Sequence, residues 1–251
     1  MSCRSKSPAP SSSKTGFTYP APGSRNALLS AIPTSLRTRP LYSYVVTTIE
    51  TTSTPPHDLI QNGSAPNFEG GRITLCTCKH KDRATFYPSG NRARPWDQVW
   101  VAGLTSKSSH PSRSLAYLML VEATFPNQNA LWEHLPSACR TAKSARHSPL
   151  GDLYEPKEFA SAHPHSPAYY HSPVAGHVHA SATWPTGWHH DIALWTSKAY
   201  PHGLPHPLLL GEAEMSFRWP TASLRLKSGV MGATAHHKHF NTLRDFIANL
   251  I

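Results

Sequence analysis

From residue 41 onward the chain alternates short apolar runs with polar, turn-rich spacers. Leu41 to Thr48 is β-branched and aromatic, the composition of a strand. A polar spacer carrying Pro55-Pro56 and Asn62-Gly63 follows it. Arg72 to Cys78 alternates, with Ile73, Leu75 and Thr77 on one side and Thr74, Cys76 and Cys78 on the other, which predicts a second strand. Lys79 to Arg83 is its charged exit. Asp97 to Gly103 reads as a third strand, and Leu115 to Phe125 as a fourth, apolar enough to be central. Asn127 or Asn129 can cap a short helix in which Leu131 and Leu135 share a face. Pro207–Gly211 and Met215–Trp219 are two further strand candidates. Phe240, Leu243, Phe246, Ile247, Leu250 and Ile251 form one helical stripe with Asn241 as its cap. Successive strands with little helix between them predict an α+β domain. We expect a small barrel or curled, mostly antiparallel sheet with a few helices, one of them C-terminal.

Two stretches break this pattern. Residues 1–40 are mostly Ser, Pro, Thr, Ala and basic side chains, too poor in apolar surface to offset the entropy of ordering, and are expected to be a disordered arm. Residues 136–206 hold 10 of the 17 histidines, many prolines and almost no periodicity. They are either a disordered His/Pro-rich insertion or loops pinned by contacts that no pattern reveals. Residues 41–251 are otherwise expected to form a single domain.

Charge changes the picture only modestly. Six of the 24 Lys and Arg residues and none of the 14 acidic ones lie in the arm, which leaves 18 basic against 14 acidic residues, or +4, in the remainder. A mildly basic domain is compatible with nucleic acid without being diagnostic of it, and the arm adds nonspecific phosphate affinity or simple solubility. Four cysteines in a chain this long do not make a disulfide framework, so a reducing compartment is expected. No run of about 18 apolar residues predicts a membrane span, and no secretory signal is visible. The Arg- and Ser-rich arm resembles an organellar transit peptide, although prolines interrupt the helix such a signal needs. The expected location is intracellular, in nucleus or cytoplasm, with organellar import as an alternative.

The order of blocks resembles a known family. Tyr42-Ser-Tyr-Val-Val, then Ala65-Pro66-Asn67-Phe68 before Gly70-Gly71, then Thr74-Leu75-Cys76-Thr77-Cys78-Lys79 are similar to the opening of the nucleotide-modification-associated domain family. Val101 to Lys107, Leu115 to Glu122, Asp152-Leu-Tyr-Glu-Pro156, His189-His190 and Leu208 to Gly211 follow in comparable places. The likeness covers most of 42–251, with 65–79 its specific part. Lys79 is followed here by His80 where the family has proline, and about ten extra residues precede the third strand. The resemblance implies association with nucleotide or DNA base modification and supplies no catalytic mechanism. A short strand, a turn and a tryptophan also resemble PUA-like barrels, a fold-level analogy.

These blocks give a candidate nucleotide-binding set: Asn67, Gly70, Gly71, Thr74, Cys76, Cys78, Lys79, Lys81 and Trp100. Glycines let backbone amides approach a phosphate or base edge, and polar groups with lysines at the mouth suit an extruded base. Trp96, Trp100 and Tyr117 are stacking candidates. The plain alternative is that the cysteines and aromatics are core and the lysines solvated. Nucleic acid or a nucleotide is the expected partner. Whether the protein is an enzyme is left open. His189 and Asp191 with a later histidine (His236, His237 or His239), and Arg244 beyond, have the composition of a two-histidine-one-carboxylate site. That alternative is an Fe(II)/2-oxo acid enzyme acting on bases; without it no metal or cofactor is expected. His163-x-His165 and His177-x-His179 lack cysteine partners at zinc spacing. Cys76 or Cys78 as a nucleophile has no supporting flank. A noncatalytic interaction domain is the remaining alternative.

Overall fold

The computed structural model describes residues 17–77, 79, 83, 98–106, 112–177, 187–193, 207–232 and 235–251. Eight strands are seen among them: β1 (Leu41–Val46), β2 (Ile49–Thr51), β3 (Leu59–Gln61), β4 (Thr74–Leu75), β5 (Trp100–Thr105), β6 (Leu115–Phe125), β7 (Leu208–Arg218) and β8 (His237–Phe240). Helices are α1 (Arg25–Ala31), α2 (Gln128–His134), α3 (Ser137–Lys143), α4 (His189–Ala193) and α5 (Leu243–Ala248). Six strands form one mixed sheet in the order β4-β7-β6-β5-β1-β8, and β2-β3 form a second, two-stranded one. The α+β class and the mostly antiparallel character are as expected. One pairing departs from it, because β1 and β5 run parallel from Leu41↔Trp100 to Val46↔Thr105.

The chain divides into two compact units: 1–17, 63–97 and 122–210 in the first, 18–62, 98–121 and 211–251 in the second. The long strands β6 and β7 each contribute residues to both.

In the second unit, every residue of β1 and β5 is buried, which explains their nearly continuous apolar sequences. One cluster joins Leu41, Val45, Trp100, Leu104, Leu118, Phe217 and Trp219 to Phe246 and Ile247 of α5. Leu28 and Ile32 belong to the same cluster. The expected boundary of the arm at residue 40 is therefore corrected: residues 18–40 belong to the second unit, with Leu28 and Ile32 in its core. Ser24 caps α1 by accepting from the Ala27 amide. Two carbonyls of this segment, Leu36 and Pro22, accept from the indole N–H groups of Trp100 and Trp219, each at 2.9 Å. A proline-rich segment with few apolar side chains can thus be held by partners that its own sequence does not contain. Residues 1–16 lie outside the described residues.

The C-terminal helix is shorter than its stripe. Phe240 ends β8, and Thr242, not Asn241, caps α5 in a reciprocal capping box with Asp245. The two strands expected between 207 and 219 are one continuous strand, β7.

In the first unit, β4 is only two residues long and pairs with Leu209 and Leu210 of β7. Asn127, one of the two expected caps, caps α2 by accepting from the Ala130 amide. The described part of 136–206 holds the helices α3 and α4 joined by packed loops, closer to the second of the two alternatives. Tyr154, Tyr170, Ala145, Ala160 and Ile192 form its own buried cluster.

Candidate functional site

The segment carrying the resemblance is an inward-facing framework. Asn67 and Thr74 pair through both backbone bonds at 3.0 Å, closing a loop that contains a 3₁₀ turn at Glu69–Gly71. Gly70 adopts φ +69, and a Cβ there would meet the backbone and Sγ of Cys139 on α3 at 3.0 Å. Glycine here allows close packing of the loop on α3. Gly71 likewise sits against the Phe17 ring, 3.1 Å from a built Cβ.

The tightest chemistry is centred on Lys143, the last residue of α3, which is fully buried. Its ammonium donates to Asn67 Oδ1 (2.9 Å), Thr74 Oγ1 (3.0 Å) and the Asn67 carbonyl (3.3 Å). Three acceptors use all three of its hydrogens. Thr74 in turn donates to both carboxylate oxygens of Asp152, at 2.9 and 3.0 Å. The result is a cation–hydroxyl–carboxylate chain sealed from solvent. Burial lowers the Lys143 pKa and raises that of Asp152, and each charge partly offsets the shift of the other.

Local sequence fixes each member. Asn67 is fully committed: Nδ2 donates to the Leu150 carbonyl at 2.8 Å, while Oδ1 accepts from Lys143 and from the Glu69 amide. Gly151 lets the chain pass so close to Ala145 that a Cβ would lie 2.5 Å from its nitrogen. Gln128, buried at the start of α2, clamps the strand-like segment by accepting from the Tyr154 amide and donating to the Asp152 carbonyl.

Two residues beyond Asp152 the network continues. Tyr154 Oη donates to Asp191 Oδ2 at 2.8 Å and lies 3.2 Å from His177 Nε2, whose Nδ1 is 3.0 Å from the Pro149 carbonyl. Burial first, and the Asp191 carboxylate second, hold the tyrosine hydroxyl well above its usual range. Burial, followed by Asp152, does the same to the Cys76 thiol, and burial raises that of Cys139. Neither cysteine is poised as a thiolate nucleophile.

The expected open face is not what Asn67, Thr74 and Cys76 form. Asn67, Thr74 and Cys76 are each 1% exposed or less. The reason is that both sides of this short segment are covered, by α3 and the Leu150–Asp152 loop around Asn67 and Thr74 and by β7 along β4. Trp100 and Tyr117 are core residues, the latter donating to Tyr44 Oη at 2.7 Å. Lys79 is half-buried with a left-handed backbone at φ +59. Cys78, Lys81 and Trp96 lie outside the described residues.

Two of the residues named for iron have other partners within their own units. The Asp191 carboxylate accepts from Tyr154, and the His239 ring packs on Tyr42 at 4.9 Å. Among the described residues no group of three His, Cys, Asp or Glu side chains could hold a metal. His163 stacks on Tyr169, and His179 lies outside the described residues. Also among the described residues, no helix is long and apolar enough to cross a membrane. Comparison with family models, with curated proteins and with solved structures finds no match.

Sequence reasoning missed Lys143, which has no apolar periodicity or motif around it. Asp152 and Tyr154 were within reach, since both lie in a block that carried the resemblance.

Proposed function

We propose that this chain recognises a nucleotide or a modified base, as a domain associated with nucleotide or DNA base modification. One observation carries the reading. Two of the blocks that resemble that family, 65–79 and 152–156, supply the side chains that enclose Lys143. Fully buried ionisable groups are costly, and their concentration where such blocks meet points to a functional framework more than to a generic core. Lys79, five residues beyond Thr74, supplies a cation for the phosphate in this reading. A PUA-like arrangement of the strands is the fold we attach to this reading, by analogy.

Fluorescence anisotropy with labelled single-stranded and duplex oligonucleotides, plain and base-modified, over a salt series is the direct test. Binding is expected, and Lys79→Ala should weaken it for all sequences while lowering the salt slope by about 1. Equal affinity in the variant removes Lys79 from the site. No binding to any oligonucleotide would transfer the protein to the noncatalytic interaction class.

A further inference from the structure

The chain of Lys143, Thr74 and Asp152 has a counterpart on the same segment. Tyr154 Oη stands between the Asp191 carboxylate of α4, at 2.8 Å, and His177 Nε2, at 3.2 Å. The other nitrogen of that imidazole, Nδ1, lies 3.0 Å from the Pro149 carbonyl. Three stretches of the first unit therefore meet around one hydroxyl: 149–154, the segment ending at His177, and α4.

The hydrogens follow by elimination. A carboxylate and a peptide carbonyl can only accept, and a phenol has one hydrogen to give. Tyr154 gives its hydrogen to Asp191, so towards His177 its oxygen can only accept, and Nε2 must carry a hydrogen. Pro149 offers a carbonyl to the same ring, so Nδ1 must carry one too. An imidazole with both nitrogens protonated is a cation. We infer that His177 is an imidazolium in the folded protein, and that it latches its segment to Tyr154 and Pro149 through a cation–hydroxyl–carboxylate chain that opens when the ring loses its proton.

The setting suits a positive ring. Besides burial, the groups that act on Tyr154 are Asp191 from α4, Asp152 from its own segment and Cys76 beyond β4. Two are carboxylates, and burial keeps the thiol protonated, so none of the three opposes a cation beside the phenol. Tyr154 is fully buried and Trp188 packs on its ring at 5.4 Å, which leaves the hydroxyl little freedom to turn. What separates the two chains is the cation. An unperturbed lysine titrates far above neutral pH, whereas an imidazole changes charge between about pH 5 and about pH 8. Whichever nitrogen gives up its hydrogen, the ring loses one of its two bonds, while Tyr154 keeps the stronger one to a charged acceptor. The latch is closed on the acid side and opens as pH rises. This regulation stands apart from the nucleotide reading above.

Proton–nitrogen correlation NMR of the full chain reads both ring nitrogens, with His177→Gln identifying the signal. At about pH 7.5, where an ordinary imidazole is mostly neutral, both nitrogens of His177 should carry hydrogen. Tyr154→Phe removes the acceptor and should leave the ring neutral under the same conditions. Amide exchange, corrected for its intrinsic pH dependence, reads the opening. Protection of the Val174 amide, which donates to Ala145, should fall about tenfold in wild type as pH rises through the imidazole range and stay level in His177→Gln. A wild-type ring with one bare nitrogen at about pH 7.5 overturns the assignment, and that spectrum decides it even where Tyr154→Phe does not fold. A ring still doubly protonated in folded Tyr154→Phe, or Val174 protection that ignores pH in wild type, overturns the latch.

Discussion

Lys143 Nζ donates to Thr74 Oγ1 at 3.0 Å across 69 residues of sequence, and that hydroxyl donates onward to Asp152. A single oxygen thus stands between a buried cation and a buried anion, and its one hydrogen has its direction imposed by them. The cation can only donate and the carboxylate can only accept.

Thr74→Val keeps the shape of this side chain and removes the hydroxyl. Both charges then lose a hydrogen bond in a place that water does not reach. We expect a loss of about 3 kcal/mol in urea denaturation, with Thr74→Ser close to wild type. A Thr74→Val protein as stable as wild type would mean that the chain of bonds is dispensable.

Removing either charge alone should be worse than removing both. Lys143→Met leaves Asp152 uncompensated, and Asp152→Asn leaves the ammonium so, each at a cost of about 3–5 kcal/mol. The double variant should fall well short of the summed losses. Additive losses in this cycle would show that the two groups act independently.

The same pair fixes the sign of a pH effect. Burial raises the Asp152 pKa, so the folded state holds that proton more tightly than the unfolded chain does. Its contribution to stability is complete below the unfolded carboxyl pKa and is lost as pH rises through the folded value. Lys143 is shifted down, so the folded state holds its proton less tightly, and stability is regained as pH climbs from the folded value toward that of an ordinary lysine. Denaturation along a pH series should therefore show a smaller loss of stability as pH rises above the ordinary carboxyl range in Asp152→Asn, and a smaller gain toward alkaline pH in Lys143→Met. Parallel curves for variants and wild type would argue against ionisation at these sites.

Gly103 tests the core of the second unit. A Cβ there would lie 2.1 Å from Tyr117 Cε1 and 2.8 Å from Val46 Cγ2, and Tyr117 is anchored to Tyr44 through its hydroxyl. Gly103→Ala should cost at least about 1–3 kcal/mol, read as a lowered midpoint in thermal or urea unfolding. A midpoint within error of wild type would show that the tyrosine ring can move.

Local pattern was a good guide where the signal was local. Leu115–Phe125 reads as a central strand because eleven successive residues suit one, and β6 has those bounds. Asn127 announces α2 because a cap needs only a side-chain oxygen and an amide three residues on. Pattern misled where a residue's role is set by a distant partner. The alternation at 72–78 promised one polar face, but Thr74 and Cys76 are as buried as Ile73 and Leu75. Their polarity is matched by Asp152, which lies 78 residues from Thr74. Phe240 fits a helical stripe by spacing, yet it belongs to a strand because β1 offers an edge to pair with.

The amino-acid order by itself determined the class of fold, most strand positions, the two candidate caps of α2 and the blocks on which the family resemblance rests. Those follow from periodicity and side-chain chemistry within a few residues. Only the folded chain decided that residues 18–40 join a core, that β1 and β5 run parallel, and that Lys143 sits among Asn67, Thr74 and Asp152. A buried charge survives through partners that compensate it, and those partners come from loops whose approach no local pattern encodes.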